Sequence, residues 1–555
     1  MNLLKNKNLV NILILFAVTL IVCLPMFSSH LSIYTDDGIQ HIARAFGTFE
    51  AIKNGSFLGN VIPKFANNFG YSWNIFYGTV TTFGIIFFKI LTGSYIVGYK
   101  VFCFFCLLLS GITMYFFAKK VSENHNVAVL AGSLYIIAPY HLTDLYVRNA
   151  LGEFASFALI PIIFLGLYNL FRNENRDWLF TIGSVLLLFT HNITCLYTMF
   201  LVFAYIIINI DKLKNKNILI RLGINIVLIA FISSCFLLPM LEAKISTNYR
   251  VYEKDVMSTV QSVQDQRISL RRIFATRNDE GFVFELGPYM IIMLAFSVMT
   301  VRILKKEYRK DYLFFLVCGI ITMLMATKIF PWNIMPKIFR MIQFPWRCLE
   351  YTSFFFAIVS AINMGAVIKK FSLKDSIIII FIATIYIIAL KGFVIYKESI
   401  PDKIENMELG KITGMENEWI AGMGRGEYLP SKAYDNRFYI ATREDKIYVI
   451  DGKAVIENEK KDGSNLKAKI KTFEEDVVLE LPYIYYPGYE ITLDGMHVNS
   501  FETEKGMLGI DINGNENTLI EVKYSGTSIM KNSIFISILG MIGLVIYIIF
   551  ERKEN

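Results

Sequence analysis

Asn74-Ile-Phe-Tyr-Gly-Thr-Val-Thr-Thr-Phe-Gly-Ile-Ile-Phe-Phe-Lys-Ile-Leu-Thr92 is apolar and nearly long enough to cross a bilayer, and whether it crosses decides the path of everything after it. Other apolar runs lie near 9–27, 96–118, 127–141, 152–170, 178–192, 193–210, 220–241, 287–302, 312–329, 349–368, 375–396 and 530–550. Each is read as a span, since about 20 apolar residues bridge the hydrocarbon core. If 74–92 also spanned, Lys119, Lys120, Arg172, Arg176, Lys212, Lys214 and Lys216 would all face outward. That breaks the rule that Lys and Arg gather in cytoplasmic loops. Laid along the outer interface, 74–92 leaves those clusters cytoplasmic, together with Lys5/Lys7, Arg302–Lys310, Lys369/Lys370/Lys374 and Arg552/Lys553. The expectation is a multi-pass cell-membrane protein of about twelve transmembrane helices, with both termini cytoplasmic.

Composition agrees. Of the 555 residues 54% are hydrophobic and only 18% charged, which excludes an ordinary soluble enzyme. The net charge of +8 sits mostly in short loops, where it orients helices and gives no reason to expect nucleic acid as a partner. All seven cysteines fall in or beside apolar runs, so no disulfide framework is implied. Cys103-x-x-Cys106 lacks the partner pair that a metal site needs.

Three parts follow: a transmembrane domain over 1–396, with an outer loop 28–95 that carries juxtamembrane helices; an extracytoplasmic domain over 397–528; and a final span with a short cytoplasmic tail over 529–555. The middle part shows alternating runs at Phe438-Tyr-Ile-Ala-Thr, Lys446-Ile-Tyr-Val-Ile, Asp476-Val-Val-Leu-Glu-Leu and Thr518-Leu-Ile-Glu-Val-Lys-Tyr, broken by Asp-Gly and Asn-Gly turns. These predict an antiparallel β-sandwich. Gly422-Met-Gly424-Arg-Gly426 has no strand-to-helix setting and is not read as a nucleotide site.

Polar residues gather on the outer side. Asp36-Asp37-Gly-Ile-Gln-His41-Ile-Ala-Arg44 opens an amphipathic helix whose apolar residues, Ile39 to Ile52, should rest on the interface, with Asp37, His41 and Arg44 on the other face. Capping and the helix dipole would account for one carboxylate there, less readily for two beside His41 and Arg44. Asp144-x-x-x-Arg148 can pair on one helical turn. Glu153, at the mouth of a span, is costly unless paired or facing a wet cavity, so Asp144, Arg148 and Glu153 together imply a polar pocket.

Thr190-His191-Asn192 turns between two spans. Four of the six histidines, His30, His41, His141 and His191, fall outside, and a His/carboxylate set suits a divalent cation, Mg or Mn. If one binds, Asp36, Asp37, Asp144 and His191 are its candidate ligands. Phe330-Pro-Trp-Asn-Ile-Met-Pro-Lys-Ile-Phe-Arg340-Met-Ile-Gln343-Phe-Pro-Trp346-Arg347 has too many prolines to span; Trp332 and Trp346 suit the headgroup region. Arg340 and Arg347 beside Gln343 and Trp346 suit a lipid-linked phosphate. Arg250, Arg267, Arg271 and Arg272 in the 242–287 loop read as a solvated charge run.

With these residues in hand, the architecture resembles the GT-C class of multi-spanning membrane glycosyltransferases. Asp36-Asp37-x-x-x-His41-x-x-Arg44, Asp144-x-x-x-Arg148-x-x-x-x-Glu153, Thr190-His191-Asn192 and Gln343-Phe-Pro-Trp-Arg347 look like a bacterial membrane-protein family labelled "6-pyruvoyl-tetrahydropterin synthase-related". Tyr485-Tyr-Pro-Gly-Tyr489 and Leu493-Asp-Gly495 are similar to YfhO-type proteins associated with glycosylating cell-wall polymers. The pterin label itself implies nothing, because those synthases are small soluble zinc enzymes.

The resemblance implies transfer of a sugar from a polyprenyl-phosphate-linked donor to a cell-envelope acceptor, whether a glycan, a teichoic-acid-type polymer or a lipid, on the outer face. On these residues, Asp36 or Asp37 is the base. Arg340 and Arg347 steady the leaving phosphate. His41, Arg44, Asp144, Arg148, Glu153, His191, Asn192, Gln343 and Trp346 bind substrate or order the site. A transporter of lipid-linked saccharides and a non-catalytic envelope scaffold are the rival readings. A transporter would spread its polar residues through the membrane's depth.

Overall fold

The computed structural model describes residues 6–27, 32–33, 35–253, 260–274, 284–390, 397–398, 423–513 and 517–553. His30, Tyr34 and the first part of the polar segment, 399–422, lie outside them.

The protein is a helical membrane-type chain with C-terminal β-sheets. Among the described residues six helices are long and apolar enough to cross a membrane: Lys7–Phe27, Tyr95–Ser122, Leu151–Phe171, Lys216–Ser246, Pro345–Val367 and Ser528–Arg552. The remaining expected spans are shorter or interrupted. The run 178–210 makes helices of 11 and 17 residues, Trp178–Leu188 and Asn192–Ile208. The run 287–302 makes two helices of 7 residues, Pro288–Leu294 and Ser297–Ile303. Lys306–Met325 is long, but Lys306, Glu307, Arg309, Lys310 and Asp311 crowd its first turns.

The segment that decides the threading becomes two helices, Trp73–Phe76 and Val80–Thr92. The second has 13 residues, so it extends about 20 Å, well short of the roughly 30 Å hydrocarbon core. It leaves Phe83, Phe87, Ile90 and Leu91 exposed along one side. Its start is seated on the 189–192 turn, where Val80 N–H donates to the Phe189 carbonyl at 2.9 Å. Gly78 permits that approach, because a Cβ there would lie 2.3 Å from the Phe189 oxygen. Gly78→Ala is accordingly expected to destabilise the protein by about 1–3 kcal/mol, the usual cost of overpacking. Thermal unfolding in detergent measures this, and an unchanged midpoint would show that the segment is not held there.

The helix Gly38–Lys53 departs from expectation. It is buried continuously from His41 to Thr48, on its polar face as well as its apolar one. It is enclosed by protein instead of lying on the interface with one face in water.

Ion pairs and hydrogen bonds gather most of the basic loops at one end of the bundle. Lys119 donates to Asn8, Lys120 pairs with Glu174, Arg172 with Asp311 at 3.3 Å, Lys310 with Asp211 at 3.2 Å and Arg221 with Glu551 at 2.7 Å. At the other end β1 (Ser32–Ile33) pairs antiparallel with β2 (Lys397–Glu398), joining the exit of the first span to the approach of the C-terminal domain.

That domain is a sandwich of two antiparallel sheets. One has the order β3 (Tyr448–Asp451), β6 (Asp476–Ile484), β10 (Met507–Asn513), β9 (Ser500–Glu502). The other runs β4 (Ala454–Asp462), β5 (Asn465–Thr472), β11 (Asn517–Tyr524), β7 (Tyr489–Leu493), β8 (Met496–Val498). Strand β5 alternates exposed and buried residues along its whole length, as a strand with one wet face must. Ile470, Val522, Leu479 and Ile510 meet in the core between the sheets.

Phe438-Tyr-Ile-Ala-Thr, expected to be a strand, lies instead in the helix Arg437–Thr442. There Ile440 joins Ala433, Met423 and Ile484 in a second apolar cluster with Val61, Phe65, Phe69 and Tyr71 of the first loop. This shared core fixes the sandwich to the loop that carries Asp36 and Asp37.

Candidate active site

Asp36 and Asp37 open the helix Gly38–Lys53. Asp37 occupies the N-cap position yet makes no side-chain capping bond. Thr35 Oγ1 accepts from Gly38 N–H at 3.0 Å instead. Capping therefore does not account for the acidic pair, and neither carboxylate is spent on it. The backbone is pinned, with Asp36 N–H donating to the Val147 carbonyl at 3.2 Å and Asp37 N–H to that of Arg148 at 2.9 Å. Asp36 is exposed and Asp37 partly buried. Burial pushes the Asp37 carboxyl up to about 6, opposed by the Arg148 guanidinium and reinforced by Asp36. Asp36 is raised for the same first reason.

The segment that holds the pair, Asp144–Arg148, is a single π-helical turn ended by Asn149 at φ 46°. Such turns recur at functional sites. Arg148 is the hub of a buried network, its side chain only 5% exposed. Its Nη1 donates to Asp144 Oδ1 at 2.6 Å, Tyr140 Oη at 2.8 Å and Glu153 Oε2 at 3.0 Å. Tyr140 in turn donates to Glu153 Oε1 at 2.5 Å. Arg347 arrives from the opposite segment, its Nε 3.1 Å from Glu153 Oε2 at an angle that makes an ion pair without a hydrogen bond. Two guanidinium groups thus share one carboxylate. Like charges brought together this way are stable only with such a counterion or with an anionic ligand.

Arg347 is held from its own side by Gln343, whose Oε1 accepts from Nη1 at 2.8 Å. Gln343 sits at φ 64°, a conformation costly for a non-glycine residue and frequent at ligand sites. Trp346 stacks on Phe344 at 4.8 Å and faces Phe284 at 5.3 Å, and Phe284 continues the row to Tyr140 at 6.4 Å. Arg272 lies over Phe284 at 5.1 Å, so at least this arginine of the 242–287 loop is part of the site's wall. Arg340 is half-buried at the end of the short helix Lys337–Arg340. Trp332 does not reach a headgroup region: it is fully buried, its indole N–H bonded to the Met325 carbonyl at 2.9 Å.

His191 packs at the network's edge. Its Nδ1 lies 2.7 Å from Thr194 Oγ1, which donates to Glu350 Oε2 at 3.0 Å. Gly152 lets Tyr77 and His191 close in, since a Cβ there would be 2.4 Å from the Tyr77 oxygen and 3.1 Å from the His191 ring. Asn192 donates to the Phe76 carbonyl at 2.9 Å. His41 Nε2 accepts from Leu151 N–H at 3.2 Å; burial, then the charge of Arg44, lowers its pKa to about 3, so it is neutral. Arg44 is bonded to Asn74 Oδ1 and the Tyr77 carbonyl, both at 2.8 Å, beside the Trp73 and Tyr77 rings. It braces the 73–77 segment.

The structure thus brings together Asp36, Asp37, Asp144, Arg148, Glu153, His191, Gln343, Trp346 and Arg347, while Arg44 and Asn192 bond to the 73–77 segment and keep Arg44 Nη1 and Asn192 Oδ1 without a hydrogen-bond partner among the described residues. Tyr77, Tyr140, Thr194 and Glu350 were missed. Glu350 carries the same signal as Glu153, a carboxylate at the start of an apolar span, and its Oε1 has no hydrogen-bond partner among the described residues. Neither does Asp144 Oδ2. Among the described residues no three His, Cys, Asp or Glu side chains gather as a metal-holding group. The protein groups grip and position charge. What they offer a ligand is a carboxylate pair near a guanidinium pair, beside an aromatic row.

The sequence pattern of a family described as "6-pyruvoyl-tetrahydropterin synthase related domain; membrane protein" matches residues 76–396. An "Uncharacterized protein" of Lactococcus lactis subsp. cremoris (strain MG1363) is 24% identical over 344 residues, which are 59% of this chain and 55% of that protein, little more than half its length. Among solved structures, the arabinofuranosyltransferase AftD from Mycobacteria is similar over 71% of this chain and 27% of its own, at 13% identity and a TM-score of 0.45. The Archaeoglobus fulgidus oligosaccharyltransferase in its apo form is similar over 80% of this chain and 60% of its own, at 11% identity and a TM-score of 0.44.

Proposed function

The chain belongs to the 6-pyruvoyl-tetrahydropterin synthase related family of membrane proteins, and from that premise and its charged cluster we propose a membrane glycosyltransferase that uses a polyprenyl-phosphate-linked donor. The observation that carries this reading is the convergence of Arg148 and Arg347 on Glu153, next to an uncapped acidic pair and an aromatic row. A phosphate ester needs cations where its leaving oxygen gains charge. A hydroxyl acceptor needs a carboxylate within hydrogen-bond reach.

In the reaction, the acceptor oxygen bonds to the anomeric carbon as the bond from that carbon to the phosphate oxygen breaks. The phosphate leaves with the electron pair, met by Arg347 and Arg340. The acceptor's proton passes to Asp37, or to Asp36. Glu153 is saturated by Tyr140, Arg148 and Arg347, so it positions the arginines, while Asp144 and His191 order the sugar. The row Phe344, Trp346 and Phe284 receives the first part of the lipid tail. The gathering of the basic loops at the other end of the bundle supports an outward-facing site under the positive-inside rule. A transporter is less well supported, since the charged cluster sits at one end and does not line a path through the membrane.

Three measurements test this. Purified protein, radiolabelled polyprenyl-phosphate sugars and an envelope fraction should together yield label in the acceptor, and transfer from no donor would sink the proposal. The rate should rise as pH passes through about 6, where Asp37 loses its proton and becomes a base. Asp37→Asn should abolish that limb, and a limb that survives the substitution would assign the base elsewhere. Cysteines placed at Lys119 and Lys212 should resist membrane-impermeant labels in intact cells, and their ready modification would invert the threading.

A further inference from the structure

The seam between the first outer loop and the sandwich holds a polar cavity of about 220 Å³. Its walls come from Glu50, Asn54, Lys64 and Asn68 on the loop side and from Asp445 and Asp462 on the sandwich. Lys64, Asn68, Asp445 and Asp462 are exposed, so its mouth is wet.

The seam is built, not incidental. Phe69 accepts from Ile484 N–H at 2.8 Å, and the Asn54 carbonyl from Asn465 at 2.9 Å. Lys461, which also lines the cavity, donates to the carbonyls of Asn68 at 2.7 Å and Pro482 at 2.8 Å, and pairs with Asp445. Ala66, Asn67 and Asn68 hold successive positive φ values of 52°, 58° and 69°. Three strained residues in a row persist only where the surroundings demand them, and they cluster at ligand sites.

We propose that this cavity binds the distal part of the acceptor, and that the acceptor is an uncharged saccharide chain. The inference rests on the glycosyltransferase reading and narrows it. Carboxylates, amides and ammonium groups close together match the mixed donors and acceptors of a sugar ring. Three carboxylates (Glu50, Asp445, Asp462) meet three ammonium groups (Lys64, Lys461 and Lys53, which pairs with Glu50 at 3.3 Å), so the walls carry no excess of cations to hold a polyphosphate chain. Glu50 lies thirteen residues beyond Asp37 along one helix, or roughly 20 Å at 1.5 Å per residue. A single sugar cannot occupy both places, but a chain of several can.

The test is direct binding to the full chain in detergent, by titration calorimetry, of chitotetraose, maltotetraose and a glycerol-phosphate oligomer of similar length. At least one neutral tetrasaccharide should bind saturably, and the glycerol-phosphate oligomer more weakly. Glu50→Trp, which fills the cavity, and Lys64→Ala, from the facing wall, should each weaken binding by about tenfold or more. Thermal unfolding establishes that each variant is folded, and either folded variant suffices. No neutral binding, tighter binding of the glycerol-phosphate oligomer, or binding unmoved by the cavity variants overturns the proposal. Saccharide binding without transfer by the wild type would count against the glycosyltransferase reading alone.

Discussion

Arg347→Ala is expected to lower sugar transfer by about 10²–10³-fold, the scale seen when one group that stabilises developing negative charge is removed. The fold should survive. Arg347 is 12% exposed at its side chain, its other anchors are Gln343 Oε1 and the Ile342 carbonyl, and Glu153 keeps Tyr140 and Arg148 as partners. Arg347→Lys should recover only part of the rate, because an ammonium restores the charge without the planar fork that holds phosphate and Gln343 together. The loss should appear in kcat more than in KM, since the interaction strengthens as the phosphate departs. Single-turnover rates at saturating donor measure it. A rise in KM with kcat unchanged would mean that Arg347 merely docks the donor.

Arg148→Ala should fail differently. Arg148 is bonded to both Asp144 and Glu153, whose side chains are fully buried. Removing it leaves two carboxylates out of water with only Arg347 nearby, and breaking a buried pair in this way costs about 3–5 kcal/mol. That is a large share of the 5–15 kcal/mol by which folded domains are typically stable. The variant should give little folded protein, or a sharply lowered unfolding midpoint in detergent. Asp144→Asn with Glu153→Gln alongside Arg148→Met should recover much of the stability without activity, because polar groups removed together leave no charge stranded. A stable, folded Arg148→Ala would show that the network is wetter than its burial indicates.

Much of this site could be read before the fold was known, because its members obey short-range rules. Asp144 and Arg148 are four residues apart and can pair on one turn, Gln343 and Arg347 stand together in one short proline-broken segment, and Glu153 is conspicuous as a charge where a span begins. What joins them is not local. Nothing near Glu153 announces that an arginine almost two hundred residues later will share its oxygen, and Tyr140 looked like one aromatic among many until its hydroxyl was seen between Arg148 and Glu153.

The misreadings have the same origin. Phe438-Tyr-Ile-Ala-Thr alternates like a strand, but burial of Ala433 and Ile440 against the first loop selects a helix. Arg44 shares a helix face with His41 in sequence, and no spacing announces that the 73–77 segment folds back to take its Nε and Nη2 donors. Among the described residues six helices are long and apolar enough to cross a membrane, and the other apolar runs fold into shorter or interrupted helices. Hydropathy does not see the break between Leu294 and Ser297.

The central claim is that Asp36 and Asp37, released from capping and set against Arg148, take the proton in a glycosyl transfer. It is tested most directly by comparing the wild type with the Asp36→Asn, Asp37→Asn double variant for release of polyprenyl phosphate and appearance of labelled acceptor. Thermal unfolding should first show that both are folded. The account predicts a folded variant that still binds donor, with both products lowered by about 10²–10⁴-fold, the range a positioned general base supplies. A folded double variant that transfers sugar at the wild-type rate would contradict it.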